Sequence, residues 1–173
     1  MAETEAQLAT LFLNFSRNKL LGQYWPRLKE TVAPLTEEQV WWRANESSNS
    51  IGNLILHLNG NMGQWLVASF NRREEARNRP QEFSERDGMS ASALLEKLGA
   101  TIEQASAVLA RLTVEDLLAS YAIQGYEAVR GLDAVYQVVE HFGLHYGQIL
   151  YIAKSLTDRD LGFYKHLNQT GRA

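Results

Sequence analysis

The sequence predicts an all-α protein, a four-helix bundle. Three observations support this: apolar residues recur every three or four positions through most of the chain, only three prolines interrupt 173 residues, and good helix caps precede several of the apolar runs. The length suits one domain over residues 1–173, since domains most often run to roughly 100–150 residues, with 157–173 as a polar C-terminal tail.

The first helix is expected from about residue 4 to residue 25, with Leu8, Leu11, Phe12, Phe15, Leu20, Leu21 and Tyr24 as its apolar stripe. Pro26 should kink or end it, because proline lacks the amide hydrogen and restricts the residue before it. Thr36-Glu-Glu-Gln39 has the form of a capping box and starts a short turn carrying Trp41 and Trp42. Ser50 caps a second long helix over about 51–76, whose end carries Arg72, Arg73 and Arg77 where the helix dipole favours cations. Interleaved with Glu74 and Glu75, these arginines and Arg79 read as a solvated helix end. The polar stretch from Arg79-Pro80 to Gly88 reads as a loop. Ser90 caps a third helix over about 91–111, and Thr113 a short turn. Around Gly125, residues 118–129 fit either a hairpin or an irregular crossover. A fourth helix spans about 131–156.

Composition narrows the chemistry. With no cysteine, disulfide scaffolds, iron–sulfur clusters, thiolate-ligated zinc and a cysteine nucleophile are excluded, so any metal site uses nitrogen and oxygen ligands. Seventeen basic against twenty acidic residues leave no cationic excess for a nucleic acid. The charge-free stretch 47–71 is broken by Asn53, His57, Asn59, Asn61 and Gln64, which argues against a membrane span. The acidic N-terminus does not resemble an export signal, so the expected location is cytoplasmic and the sequons at Asn14, Asn45 and Asn168 carry no meaning.

His141 and His145 stand four residues apart on the fourth helix, one turn apart on one face, the spacing by which a helix offers two imidazoles to one ion. On a helical wheel Asp133, Glu140, Gly147, Tyr151 and Lys154 mark the solvent face, and both histidines point away from it. His57 lies in mid-helix on a polar, uncharged seam with Asn53, Asn61 and Gln64, as a groove wall would. Three interior imidazoles each need a partner; a shared metal ion satisfies them, and ordinary core hydrogen bonds are the alternative. Asn61, Gln64 and Gln148 are candidates to orient the histidines or hold a water, or else plain groove-lining amides. His166 reads as a surface residue, Glu140 as a surface charge, and Gly60 and Gly63 as a helix-packing pair. No acidic residue stands at an obvious general-base position.

The segments Ser50-Ile-Gly-Asn-Leu-Ile-Leu-His57 and Glu140-His-Phe-Gly-Leu-His145-Tyr-Gly-Gln148-Ile resemble those of the DinB/YfiT-like family of metal-dependent bacterial proteins, and the likeness extends over nearly the whole chain. The resemblance implies an up-down-down-up bundle, a divalent metal held by His57, His141 and His145, commonly nickel or zinc, and homodimers formed through long helices. Imidazole alone suits zinc, nickel, copper and iron alike. Better understood relatives act with low-molecular-weight thiols, though no thiol-recognition motif is present here. The leading expectation is therefore a metal-dependent transferase or hydrolase acting on a small molecule, with any thiol arriving as a co-substrate. The alternative is a non-catalytic helical binding or dimerisation module whose metal is structural or absent.

Overall fold

A computed structural model describes residues 2–74 and 77–168 of the chain, and these are mostly helical. Helix α1 (Ala2–Arg17) runs into a π-helical segment (Asn18–Tyr24) and then α2 (Trp25–Val32). Pro26 thus neither ends the helix nor stands in an ordinary one. The Trp25 amide reaches back five residues to the Leu20 carbonyl, and this wider turn makes room for a proline ring that would otherwise clash with the carbonyl one turn back. Helix α3 (Glu37–Trp41) starts at the expected capping box, closed by the Thr36 and Gln39 side chains.

Helix α4 (Ile51–Met62) opens with a second capping box, Ser50 with Asn53, and continues through a π-helical segment (Gly63–Ala68) to Phe70. It stops there, short of the expected residue 76, in a turn where Arg72 has φ of +52°. Ten of the twelve residues of α4 are buried, which explains the charge-free stretch: a helix packed on α5, α6 and α8 has no face left for charges. Helix α5 (Arg79–Ser84) replaces the expected loop, with Asn78 as its N-cap and Pro80 in its first turn, where no amide hydrogen is needed. Helix α6 (Ala91–Arg111), capped by Ser90, and the short α7 (Val114–Leu118), capped by Thr113, follow as expected.

Residues 118–130 resolve in favour of the hairpin. Strands β1 (Ser120–Ile123) and β2 (Tyr126–Arg130) pair antiparallel, with Ser120 opposite Arg130 and Tyr121 opposite Val129. Gln124 and Gly125 both have positive φ, the pair of conformations a tight two-residue hairpin turn requires. Helix α8 (Gly131–Thr157) packs on α2, α4 and α7. The tail is less detached than its polarity implies: Arg27 donates to the Tyr164 hydroxyl at 2.9 Å and lies over the rings of Phe163 and Tyr164. One apolar cluster joins all four long helical stretches, with Leu28, Ile51, Leu58, Leu98, Ile102, Phe142 and Ile149 essentially inaccessible. Among the described residues, no helix is long and apolar enough to cross a membrane.

Gly131, at the joint between hairpin and α8, faces the backbone of Asp116 and Leu117, where a Cβ would overlap the Asp116 carbonyl oxygen. Because backbone yields less easily than a side chain, Gly131→Ala should lower unfolding stability by about 1–3 kcal/mol, read as a lower urea midpoint at unchanged slope.

Candidate metal centre

Helix α4 brings His57 and helix α8 brings His141 and His145 to one point. One ring nitrogen from each lies within 4.8 Å of the other two, and the ring centroids are 4.4 to 5.0 Å apart. His57 is buried and the α8 pair half-buried. The three therefore converge although 84 residues separate His57 from His141, and together they could hold a metal ion. His166 lies exposed in the short 3-10 turn Lys165–Asn168, and Glu140 is exposed on α8.

Two of the three outer nitrogens are held. His57 Nδ1 lies 2.8 Å from Glu82 Oε2, and His145 Nδ1 lies 2.7 Å from Gln148 Oε1. A carboxylate and an amide oxygen only accept, so both imidazoles carry their proton on Nδ1 and present a bare Nε2 lone pair inward, the tautomer a metal requires. His57 Nε2 is also 2.8 Å from His141 Nε2, a hydrogen bond in which His141 must be the donor. An ion bound at about 2.0–2.1 Å would displace that proton and open the pair by roughly half an ångström, a change within the reach of side-chain rotation. Three imidazoles and no thiolate suit a borderline divalent cation, and they leave a fourth coordination position open.

Glu82 is the residue the sequence hid. It sits on α5 at 9% exposure and accepts two hydrogen bonds from Arg77, from Nε at 2.7 Å and Nη2 at 2.8 Å, besides the one from His57. Burial opposes its ionisation, but Arg77 and His57 outweigh it and hold the carboxyl below its usual range. Arg77 Nη2 also lies 3.1 Å from His57 Nδ1; since a guanidinium cannot accept and that nitrogen gives its proton to Glu82, this is a packing contact. Gln64 accepts from Arg77 Nη1 at 3.0 Å, so it supports the arginine rather than a histidine. Asn61 touches no histidine through a hydrogen bond, while Gln148 holds His145. Arg77 is not part of a solvated helix end: its side chain is 4% exposed.

Two further features place this carboxylate. Gly60 is not a helix-packing glycine, since a Cβ there would overlap the Glu82 carboxylate and lie 2.8 Å from Arg77 Nε. Asn53 Nδ2 donates to the carbonyls of Glu82 and Glu85 at 2.8 and 2.9 Å, and Arg43 Nη2 donates to that of Phe83 at 3.0 Å. The end of α5 is thereby tied to α4, one turn before His57.

A groove of about 420 Å³ opens on His57 and His141. Trp65 and Tyr126 flank it, and Trp65 Nε1 donates to Gln124 Oε1 of the hairpin turn at 2.8 Å. His141 is pushed down to about 4, first by burial and then because a proton on it would be repelled by any proton shared among His145 and His57 and by Arg77 and Arg79. His145 is lowered for the same first reason, partly opposed by its bond to Gln148.

The family model described as "Protein of unknown function (DUF1572)" matches residues 7–167. The chain belongs to that family. In three dimensions it resembles the crystal structure of a conserved protein from Enterococcus faecalis, with a TM-score of 0.70 at 15% identity, covering 84% of this chain and 97% of that one. At that identity the likeness speaks for the fold alone. A comparison with curated proteins finds no match.

Glu82→Gln should weaken metal binding about 10- to 100-fold, measured by competition with a chromophoric chelator, because the amide holds the His57 tautomer poorly and leaves Arg77 buried without its counter-ion. The metal-free protein should also lose stability as pH falls. An unfolded histidine takes a proton near 6.5, while folded His141 excludes it down to about 4, so between these values the unfolded chain binds more protons. The His141 contribution is therefore complete above about pH 6.5 and lost by about pH 4; urea midpoints across that window should fall less steeply in His141→Gln.

Proposed function

We propose that the protein is a divalent-metal enzyme of the DinB-like type, with His57, His141 and His145 as ligands, zinc or nickel as the ion, and a low-molecular-weight thiol as co-substrate. The observation that carries this reading is that His57 and His145 are held by their outer nitrogens and turn their inner ones toward a shared point, and that His57 and His141 border an open groove. A structural site would have no use for a cavity against its ligands, which weighs against a non-catalytic module.

Bound there, the ion supplies a Lewis acid that lowers the pKa of a thiol or water at neutral pH. The protein's own part is positional. Glu82 fixes the His57 tautomer, Gln148 fixes that of His145, and the low proton affinity of His141 keeps its ring neutral at neutral pH, so that only its Nε2 proton has to leave when an ion binds. The groove admits the thiol and lets its proton leave to solvent; the sulfur then forms its new bond to an electrophile as the leaving group departs. Hydrolysis of a small molecule by the same site is the second reaction type it would serve.

The same reading takes 1–173 as one cytoplasmic domain, an up-down-down-up bundle that pairs as a homodimer. Support for a dimer comes from exposed apolar side chains on the long helices, Leu8, Leu11 and Phe15 on α1 and Tyr136, Leu144 and Tyr151 on α8.

Freshly purified protein should carry about one divalent ion per chain by elemental analysis, and His57→Ala, His141→Ala and His145→Ala should each remove it. Full metal content in all three variants rejects the assignment. Turnover of a thiol with an electrophile should disappear in the same variants.

A further inference from the structure

Away from the metal centre, β1 presents an unpaired edge. Among the described residues the sheet has two strands, so β1 pairs with β2 on one side, and on the other its alternate residues turn their N–H and C=O outward. A cavity of about 530 Å³ lies along that side. A cavity against the face of a strand is lined by every second residue; this one is lined by residues 120–124 in succession, which places it at the edge. Such edges are usually blunted by lysine, proline or an inward charge, and Ser120-Tyr-Ala-Ile123 has none of these. Over four residues the free edge runs about 14 Å, at roughly 3.4 Å per residue.

The opposite wall is cationic. Arg72 and Arg73 line it where the continuation of α4 ends, and Glu74 is the one carboxylate in the lining. Neither arginine forms an ion pair among the described residues, although the chain carries 20 acidic residues against 17 basic ones. Behind them Arg111 Nη2 donates to the Phe70 carbonyl at 3.2 Å and to Asn71 Oδ1 at 2.8 Å, both neutral. The helix dipole accounts for cations at this end. It does not account for the backbone of Arg72, whose φ of +52° is the left-handed position of a helix cap closed by the Arg73 amide on the Ala68 carbonyl at 3.0 Å. Glycine fits that position without strain, so an arginine there points to a use for its side chain.

We propose that this edge docks an acidic peptide segment, which adds to the hairpin as a third strand and sets its carboxylates against Arg72 and Arg73. The partner is a protein with an exposed, extended segment of alternating acidic and apolar residues. A small anion would answer the arginines and leave the strand edge unpaired; an extended peptide answers both. Backbone pairing supplies affinity and the arginines supply selection. Nothing in this depends on a metal.

Full-length protein can be titrated by fluorescence anisotropy with a labelled peptide of alternating valine and glutamate. It should bind about tenfold more tightly than the same peptide with lysine in place of glutamate, as expected for one charge-assisted contact. Arg73→Ala and Arg72→Gly should each remove most of that preference, and Arg72→Gly leaves the turn unstrained, which keeps the test sound should the other variant misfold. Of two peptides N-methylated on the valines or on the glutamates, one should lose binding and the other keep it, because a strand pairs through alternate amides. Amide resonances of residues 120–124 should shift on binding. Equal binding of the lysine peptide, equal binding of both methylated peptides, unchanged affinity in both arginine variants, or no binding overturns the proposal. So does displacement of the peptide by inorganic phosphate at equal concentration, which assigns the arginines to a small anion. A peptide-free dimer with 120–124 already protected from hydrogen exchange assigns the edge to a second copy and overturns it as well.

Discussion

The structure around the candidate site depends on one buried carboxylate. Glu82 accepts from Arg77 through both oxygens and from His57 through one, in a place that water barely reaches. Taking such a charge out of water costs several kcal/mol, and only a well-formed partner offsets that. Arg77 provides it with a two-pronged geometry that lysine could not reproduce. The pair adds little to stability compared with an apolar replacement. Its effect is to specify position: the carboxylate has one place where both partners are satisfied, and from there it sets the proton of His57.

Much of the local architecture serves this arrangement. Gly60 leaves the space the carboxylate occupies, Gln64 holds the far side of the guanidinium, and Asn53 and Arg43 bind the carbonyls at the end of α5. Asn53 does this while closing the capping box of α4, so the same side chain that starts the helix also anchors the segment that delivers Glu82 to it. The three histidines are consequently unequal. His57 is fixed by a charge in a dry setting and His145 by an amide near the surface. His141 bonds to His57 through the nitrogen that faces inward, making it the ligand whose proton must move.

Fold and site are separable here. A protein from Enterococcus faecalis shares the backbone arrangement at 15% identity, too distant for any residue's role to follow from it. In this chain the hairpin between α7 and α8 meets the π-helical continuation of α4 through the Trp65–Gln124 bond and places Tyr126 against the groove. A bare helical arrangement would expose the histidines along an open cleft; the hairpin gives that cleft a second wall.

The helices, most of their starts and the pairing of His141 with His145 were legible in the chain itself, because each depends on residues within one or two turns. Ser50, Ser90, Thr36 and Thr113 cap the helices they precede, and a spacing of four is a fact of helix geometry. Pro26 left two outcomes open because its cost depends on how the preceding turns are wound, and the stretch 79–88 misleads because its polar residues look the same whether they face water or each other. Glu82 and Arg77 are ordinary surface residues by every local measure. Only folding α5 back onto α4 removes their water, and that loss of solvent turns an unremarkable Glu and Arg into the support of the candidate metal centre. The same contrast holds for Asn61, Gln64 and Gln148, three similar amides in the sequence. The tertiary structure gives one to the arginine, one to a histidine and leaves the third facing the groove, because hydrogen-bond partners are assigned by distance in space and not by spacing along the chain.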